Sequence, residues 1–314
     1  MTTGEFGLKG WTPEQLGSLA GKTYVVTGAT SGTGFEATRI FLSRGASVVM
    51  LNRNAEKSAA TIELLNQEFG DEAAVSSIQL DLESLASVRD AAAQVLAKVP
   101  HIDALICNGA IAQVPELKLT EDNFESQLGV NYFANFLLCG LLFERIEQSK
   151  GRIVVVSSLG YKMGLKRIQF EDLNFEKRYS SRNAYNQSKL ALMMFIYELQ
   201  RRVQATDKNV QAFVCHPGAS RTSLIDTSGS RFDKLVWSIL SRIIAQSAEQ
   251  GAWPEVMCAT EDQLNQEALY GPVKRAETVG PVGKGKLDPI ALDKEAVEKL
   301  WQISEDKTAF SWSL

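Results

Sequence analysis

Short apolar runs recur along the first two thirds of the chain, and each is followed by a segment of helical character. The runs are KTYVVT (22–27), SVVML (47–51), AVSSIQL (74–80), DALIC (103–107), GRIVVVSS (151–158) and VQAFVCHP (210–217). Between them the pattern predicts helices over 32–44, 55–69, 84–98, 121–148 and 183–204, with Ser84 as the cap of the third. The strand runs are nearly continuously apolar rather than alternating, as expected of a parallel sheet covered on both faces. Parallel strands joined by helices require right-handed crossovers. The expected fold class is therefore α/β, a doubly wound parallel sheet of the Rossmann-like kind. It forms a single domain over 21–314, with ligands beyond the carboxyl ends of the strands.

The ends of the chain are less regular. Residues 1–20 read as a surface extension, with Thr12 as N-cap, Pro13 at the first helical position and Gln15 completing a capping box. After Gly218 the alternation weakens. Residues 231–259 read as helix, the Gly/Pro-rich stretch 270–289 as loop, and 291–304 as a last helix.

Composition excludes several functions. Of 314 residues 45% are hydrophobic and 22% charged, with a net charge of -4, which argues against a nucleic-acid surface. The four cysteines, Cys107, Cys139, Cys215 and Cys258, lack metal-ligand spacing, and there are only two histidines, so no metal site is expected. Buried free thiols fit a reducing, cytoplasmic compartment. No uninterrupted apolar run reaches the ~18 residues of a membrane span, and no signal segment opens the chain.

The first strand ends in TGATSGTG, which places Gly28, Gly32 and Gly34 between strand and helix. Glycine allows a tight turn and close approach of a ligand, and the helix N-terminus offers free N–H groups to a pyrophosphate. Thr30, Ser31 and Thr33 share this loop and are candidate cofactor contacts. The second strand ends at Asn52-Arg53. An acid there would bind ribose hydroxyls; an arginine suits a 2′-phosphate, which favours NADP(H) over NAD(H).

Tyr185 and Lys189 stand four apart on one helix face. A phenol is a poor acid at neutral pH, and a nearby cation favours its phenolate. Tyr185 is thus a candidate for proton exchange with a carbonyl or alcohol oxygen. Ser158, at the carboxyl end of its strand, is placed to bond that oxygen, while Ser157 reads as structural. Asn131 is polar in an apolar helix and needs a partner, either a backbone carbonyl or a water relaying protons to Lys189.

Taken together and in order, these motifs resemble the short-chain dehydrogenases/reductases over roughly residues 20–225. The finer features LNRN, LDLESLASVR, GVNYFANFLL, FEDLNFEKRY and YNQSKLALMMF resemble the retinol dehydrogenase branch, and LICNGAI and EKLWQIS resemble protochlorophyllide reductases. The resemblance implies a catalytic set of Asn131, Ser158, Tyr185 and Lys189. It also implies cofactor contacts from Asp81 and Leu82 at adenine, from Asn108, Gly109 and Ala110, from Pro217 and Gly218, and from Thr222 at the nicotinamide amide. The family usually has glycine where Ala110 stands; a positive φ there would cost about 1 kcal/mol. Residues 219–285 would border the substrate, with Phe232, Leu235, Trp237, Ile239, Leu240 and Trp253 as candidate apolar walls. The expected activity is NADP(H)-dependent hydride transfer to or from a lipophilic carbonyl or alcohol. The alternatives are an inactive nicotinamide-binding sensor and a light-dependent reductase. By resemblance, the helices holding Asn131 and Tyr185 would pair across a two-fold axis in a homodimer or homotetramer.

Overall fold

The computed structural model describes residues 6, 10–71, 73–219 and 246–314. The elements in chain order are β1 (Thr23–Thr27), α1 (Gly32–Ser43), β2 (Ser47–Asn52), α2 (Ala55–Phe69), β3 (Val75–Gln79), α3 (Leu85–Lys98) and β4 (Ala104–Cys107). There follow α4 (Ser126–Gln148), β5 (Arg152–Val156), α5 (Ser181–Ala205), β6 (Gln211–Cys215), α6 (Ala248–Thr260), β7 (Leu269–Lys274), β8 (Val279–Lys284) and α7 (Lys294–Thr308). The sheet order is β3-β2-β1-β4-β5-β6-β7-β8, parallel from β3 to β7 with β8 antiparallel at the edge. The order reverses between β1 and β4, which opens a crevice at their carboxyl ends.

The strands divide their side chains between two cores. Val25, Leu105, Ile153 and Val155 face α3, α4, α5 and α7, while Tyr24, Val26, Ile106 and Val154 face α1 and α6. This is the period-two alternation of a strand buried on both sides. The β3 edge departs from it. Ser76, Ser77 and Gln79 are exposed, and polar residues on an edge strand discourage pairing with another chain.

Four expectations need correction. Residues 10–20 are not a surface extension. Trp11 is fully buried, its backbone bridges Val282, and its indole Nε1 donates to Glu261 at 2.6 Å. Pro13–Gln15 is one 3-10 turn without a side-chain cap from Thr12; Gln15 donates instead to the Gly10 carbonyl. The helix expected from Glu121 starts at Ser126, where the buried Glu125 carboxylate accepts from the N–H groups of Gln127 and Leu128. The stretch read as loop is the β7–β8 hairpin. Pro272 fits because β7 has left β6 after Tyr270, and Pro281 lies on the edge strand.

By length and composition α4 is apolar enough to cross a membrane, because averaging over it dilutes Asn131 and Asn135. Most of it, 89% of the qualifying window, is buried as a core helix. All four cysteines are buried and free.

Candidate active site

The glycine loop is held by neutral amides and hydroxyls. Asn108 donates to the carbonyls of Thr27 (3.0 Å) and Gly28 (3.2 Å) and accepts from the Thr33 hydroxyl (2.8 Å). The Gly109 N–H donates to Thr27 Oγ1 at 2.8 Å. The buried Asn52 side chain accepts from the Ala29 N–H at 2.7 Å and donates to Ser58 Oγ. Asn52 and Asn108 are therefore struts of the loop, a role that sequence reasoning missed for Asn52.

Glycine is required at two points by space. A Cβ on Gly34 would lie 2.3 Å from Asn108 Nδ2 and 2.6 Å from the Gly28 carbonyl, and one on Gly28 would lie 2.7 Å from Gly109 Cα. Gly28 also has φ 68. The α1 N-terminus carries neither a side-chain cap nor an acid in its first turn. Its N–H groups and dipole are left to an anion. Gly109 and Ala110 avoid the left-handed region, so the strain anticipated at Ala110 is absent.

A cleft of 280 Å³ runs from this loop along the sheet edge, bordered by Thr30, Ser31, Arg53, Asp81, Leu82 and Ala110. Arg53 is exposed and bonded to Glu83 at 2.9 Å. Asp81 is half-buried and accepts from the Glu83 N–H. A larger groove of 390 Å³, between residues 170–176 and α7, shares no residue with this cleft.

Helix α5 carries Tyr185 and Lys189 at the carboxyl end of β5. Burial raises the Tyr185 pKa above the phenol value, by more than the neighbouring Ser158 hydroxyl offsets. Lys189 is buried; its Nζ donates to the Val156 carbonyl at 2.9 Å and lies 5.8 Å from the centre of the Tyr185 ring. Burial pushes its pKa down to about 8. Ser157 donates to the Lys189 carbonyl, the structural role expected of it. Asn131 lies in a π turn of α4, Gly129–Phe133. Its side chain accepts from the Ile111 N–H (2.8 Å) and donates to the Ile111 carbonyl (2.9 Å) and Ser188 Oγ (2.9 Å). None of these bonds reaches Lys189.

This arrangement can be set beside known proteins. A family model described as short chain dehydrogenase matches residues 22–170. Human retinol dehydrogenase 14 is 36% identical over 307 residues, spanning 92% of this chain and 87% of that protein. The chain is a short-chain dehydrogenase. An uncharacterized protein from Mycobacterium paratuberculosis has a crystal structure 35% identical, with TM-score 0.79 over 97% of this chain and 100% of that one. A Burkholderia cenocepacia short chain dehydrogenase, solved in complex with NADP, shares the fold at 21% identity and TM-score 0.60, over 77% of this chain and 91% of that one.

In this short-chain dehydrogenase the β7–β8 hairpin braces both jaws of the site. Glu277 accepts from Lys162 at 2.7 Å, in the turn just after Ser158, and the Thr278 carbonyl accepts from the Ala219 N–H at 2.8 Å. Arg275, Ala276 and Glu277 all have positive φ (48, 56 and 66). Such a run is strained for residues with a Cβ, and strain of this kind persists where its surroundings fix it. Gly160 is equally confined, since a Cβ there would lie 2.7 Å from Asn186 Oδ1 and 3.3 Å from the Tyr185 ring.

Pro217 and Gly218 follow β6, and Gly218 has φ 66 with its N–H donating to Nδ1 of buried His216. Burial lowers the His216 pKa to about 4, so the ring is neutral at pH 7 and accepts that bond. The contacts of the hairpin with Lys162 and Ala219 were missed because nothing local in the sequence joins residues so far apart. Thr222, Phe232, Leu235, Trp237, Ile239 and Leu240 lie outside the described residues. Trp253, on α6, is half-buried against the core that α6 shares with α1.

Proposed function

We propose that this enzyme transfers a hydride between NADP(H) and a lipophilic carbonyl or alcohol, with Tyr185 as general acid and base. The observation that carries the reading is the hydroxyl pair of Tyr185 and Ser158, with Lys189 buried one helical turn away. The uncapped α1 N-terminus, the space kept by Gly28 and Gly34, and Arg53 at the far end of the cleft fit a phosphorylated dinucleotide. That the Burkholderia fold relative was solved with NADP supports the same choice.

When bound, the nicotinamide supplies or accepts the hydride. The chain's own residues manage the proton. Ser158 and Tyr185 both face the substrate oxygen, and Tyr185 gives that oxygen a proton in reduction or takes one in oxidation. Lys189 must favour the phenolate against the burial that opposes it. Lowering a phenol by three units requires roughly 4 kcal/mol, to which Lys189 and a cationic nicotinamide would both contribute. Asn131 holds the backbone of Ile111 against α5 and so fixes one wall of the site.

The test is NADPH oxidation across aldehydes, ketones, steroids and quinones, run beside Tyr185→Phe. Tyr185-dependent turnover of at least one lipophilic member is the expected result. Its absence across the panel would overturn the reading.

A further inference from the structure

The outer faces of α4 and α5 carry large apolar residues, the faces that resemblance to the family would pair with a second copy. Here they are already covered. Helix α7 packs on both, with the Tyr132 hydroxyl of α4 2.6 Å from Ser304 Oγ and the Arg202 guanidinium of α5 4.2 Å above the Trp301 ring. At Ala309 the backbone turns left-handed (φ 46), and Arg89 of α3 donates to the carbonyls of Thr308 (2.6 Å) and Ala309 (3.2 Å).

The chain then runs back as Phe310-Ser311-Trp312-Ser313-Leu314. The three apolar side chains are half-buried against the core and the two serines are exposed. That is the alternation of an extended segment lying on an apolar surface. The Phe310 ring sits on Gly140 of α4 so closely that a Cβ there would lie 2.2 Å from its Cε1. The Trp312 ring centre lies 5.3 Å from Trp301, 5.5 Å from Phe143, 5.7 Å from Phe136 and 5.8 Å from Phe195. The Trp312 backbone N–H donates to the Glu305 carboxylate at 2.8 Å.

We propose that residues 310–314 take the place of a second subunit on the α4–α5 face, so that the enzyme is a monomer and its own segment excludes self-association there. A second copy could pack α4 against α4 only after displacing Phe310 and Trp312.

Light scattering on the full chain should give the monomer mass of 34.5 kDa across a hundredfold range of concentration. Removing residues 310–314 should shift the mass toward twice that value as concentration rises. Gly140→Leu offers the same result without shortening the chain, because its side chain evicts Phe310, and circular dichroism selects the folded variants. A full chain that is dimeric overturns the proposal. So does a folded variant, of either kind, that stays monomeric throughout.

Discussion

The glycine loop and the Tyr-Lys pair are built on opposite plans. At the glycine loop, every side chain that holds the backbone is neutral: Thr27, Thr33, Asn52 and Asn108. Neutral struts leave the positive end of α1 as the local field, which suits a ligand that brings negative charge. At the Tyr-Lys pair the key groups are titratable, and burial opposes the ionised form of each. The Tyr185 phenol is pushed up and the Lys189 ammonium down. The first is complete in itself; the second is poised and becomes fully effective when further charge is added. Damage at the loop should therefore appear as lost stability and affinity at any pH. Damage at the Tyr-Lys pair should appear in turnover and in pH dependence.

Tyr185→Phe should have the largest effect. It removes the proton carrier while keeping the ring, so turnover should fall by about 10²–10⁴-fold. NADPH affinity, read by fluorescence titration, should stay near the parent value. A parent-like rate in the folded variant would abolish the distinction between the two.

Lys189→Met probes the poised pair through stability. The folded-state pKa of Lys189 is lowered from 10.5 to about 8, so between those values the unfolded chain holds more protons. Stability of the parent should then rise with pH across that window, by about 3 kcal/mol from this group. The methionine variant should lack that rise while losing turnover. Glu255, fully buried with neither carboxylate oxygen partnered among the described residues, has the reverse slope in a lower window. Burial raises its pKa from 4.5 to about 8, so stability falls as pH rises between them, and Glu255→Gln should flatten that fall. Denaturant midpoints measured every half unit separate the two windows.

Gly34→Ala should break the neutral loop. The added methyl meets Asn108 and the Gly28 carbonyl, and overpacking of this kind costs about 1–3 kcal/mol. The loss should be the same at pH 6 and pH 9 and should come with weaker NADPH binding. A pH-dependent loss would contradict the neutral design.

The smallest effect is expected at Arg53. Because Glu83 shares its guanidinium in an exposed pair, Arg53→Ala should weaken NADPH relative to NADH by about 1 kcal/mol. Glu83→Gln should shift the preference the other way. Equal changes for both cofactors would show that Arg53 does not read the 2′-phosphate.

The sheet, its helices and the glycine loop were legible because local rules govern them: apolar runs, caps such as Ser84, and glycine where the backbone turns. The candidate catalytic residues were legible as a set through family resemblance and order along the chain. Other features depend on distant partners. Asn131 was expected to bond a backbone carbonyl or a water; the carbonyl is that of Ile111, twenty residues away, and Ser188 is a further partner that the sequence could not name. The hairpin of β7 and β8 looked like a loop because two prolines and several glycines obscured a pairing set by sheet position. Asn52 showed a signal that was read only for what it lacked, an acid; a buried amide at a strand end needs partners, and here one is the Ala29 N–H.

The bridge between Trp11 and Val282 has a consequence for the order in which the chain is completed. During synthesis Trp11 emerges well before its indole acceptor Glu261 and its backbone partner on β8. Trp11 must wait, apolar and unpaired, until the β7–β8 hairpin leaves the ribosome. Closure of these widely separated contacts belongs to the slow, late part of folding. Trp11 is thus locked in place only after the sheet that it straps has been made.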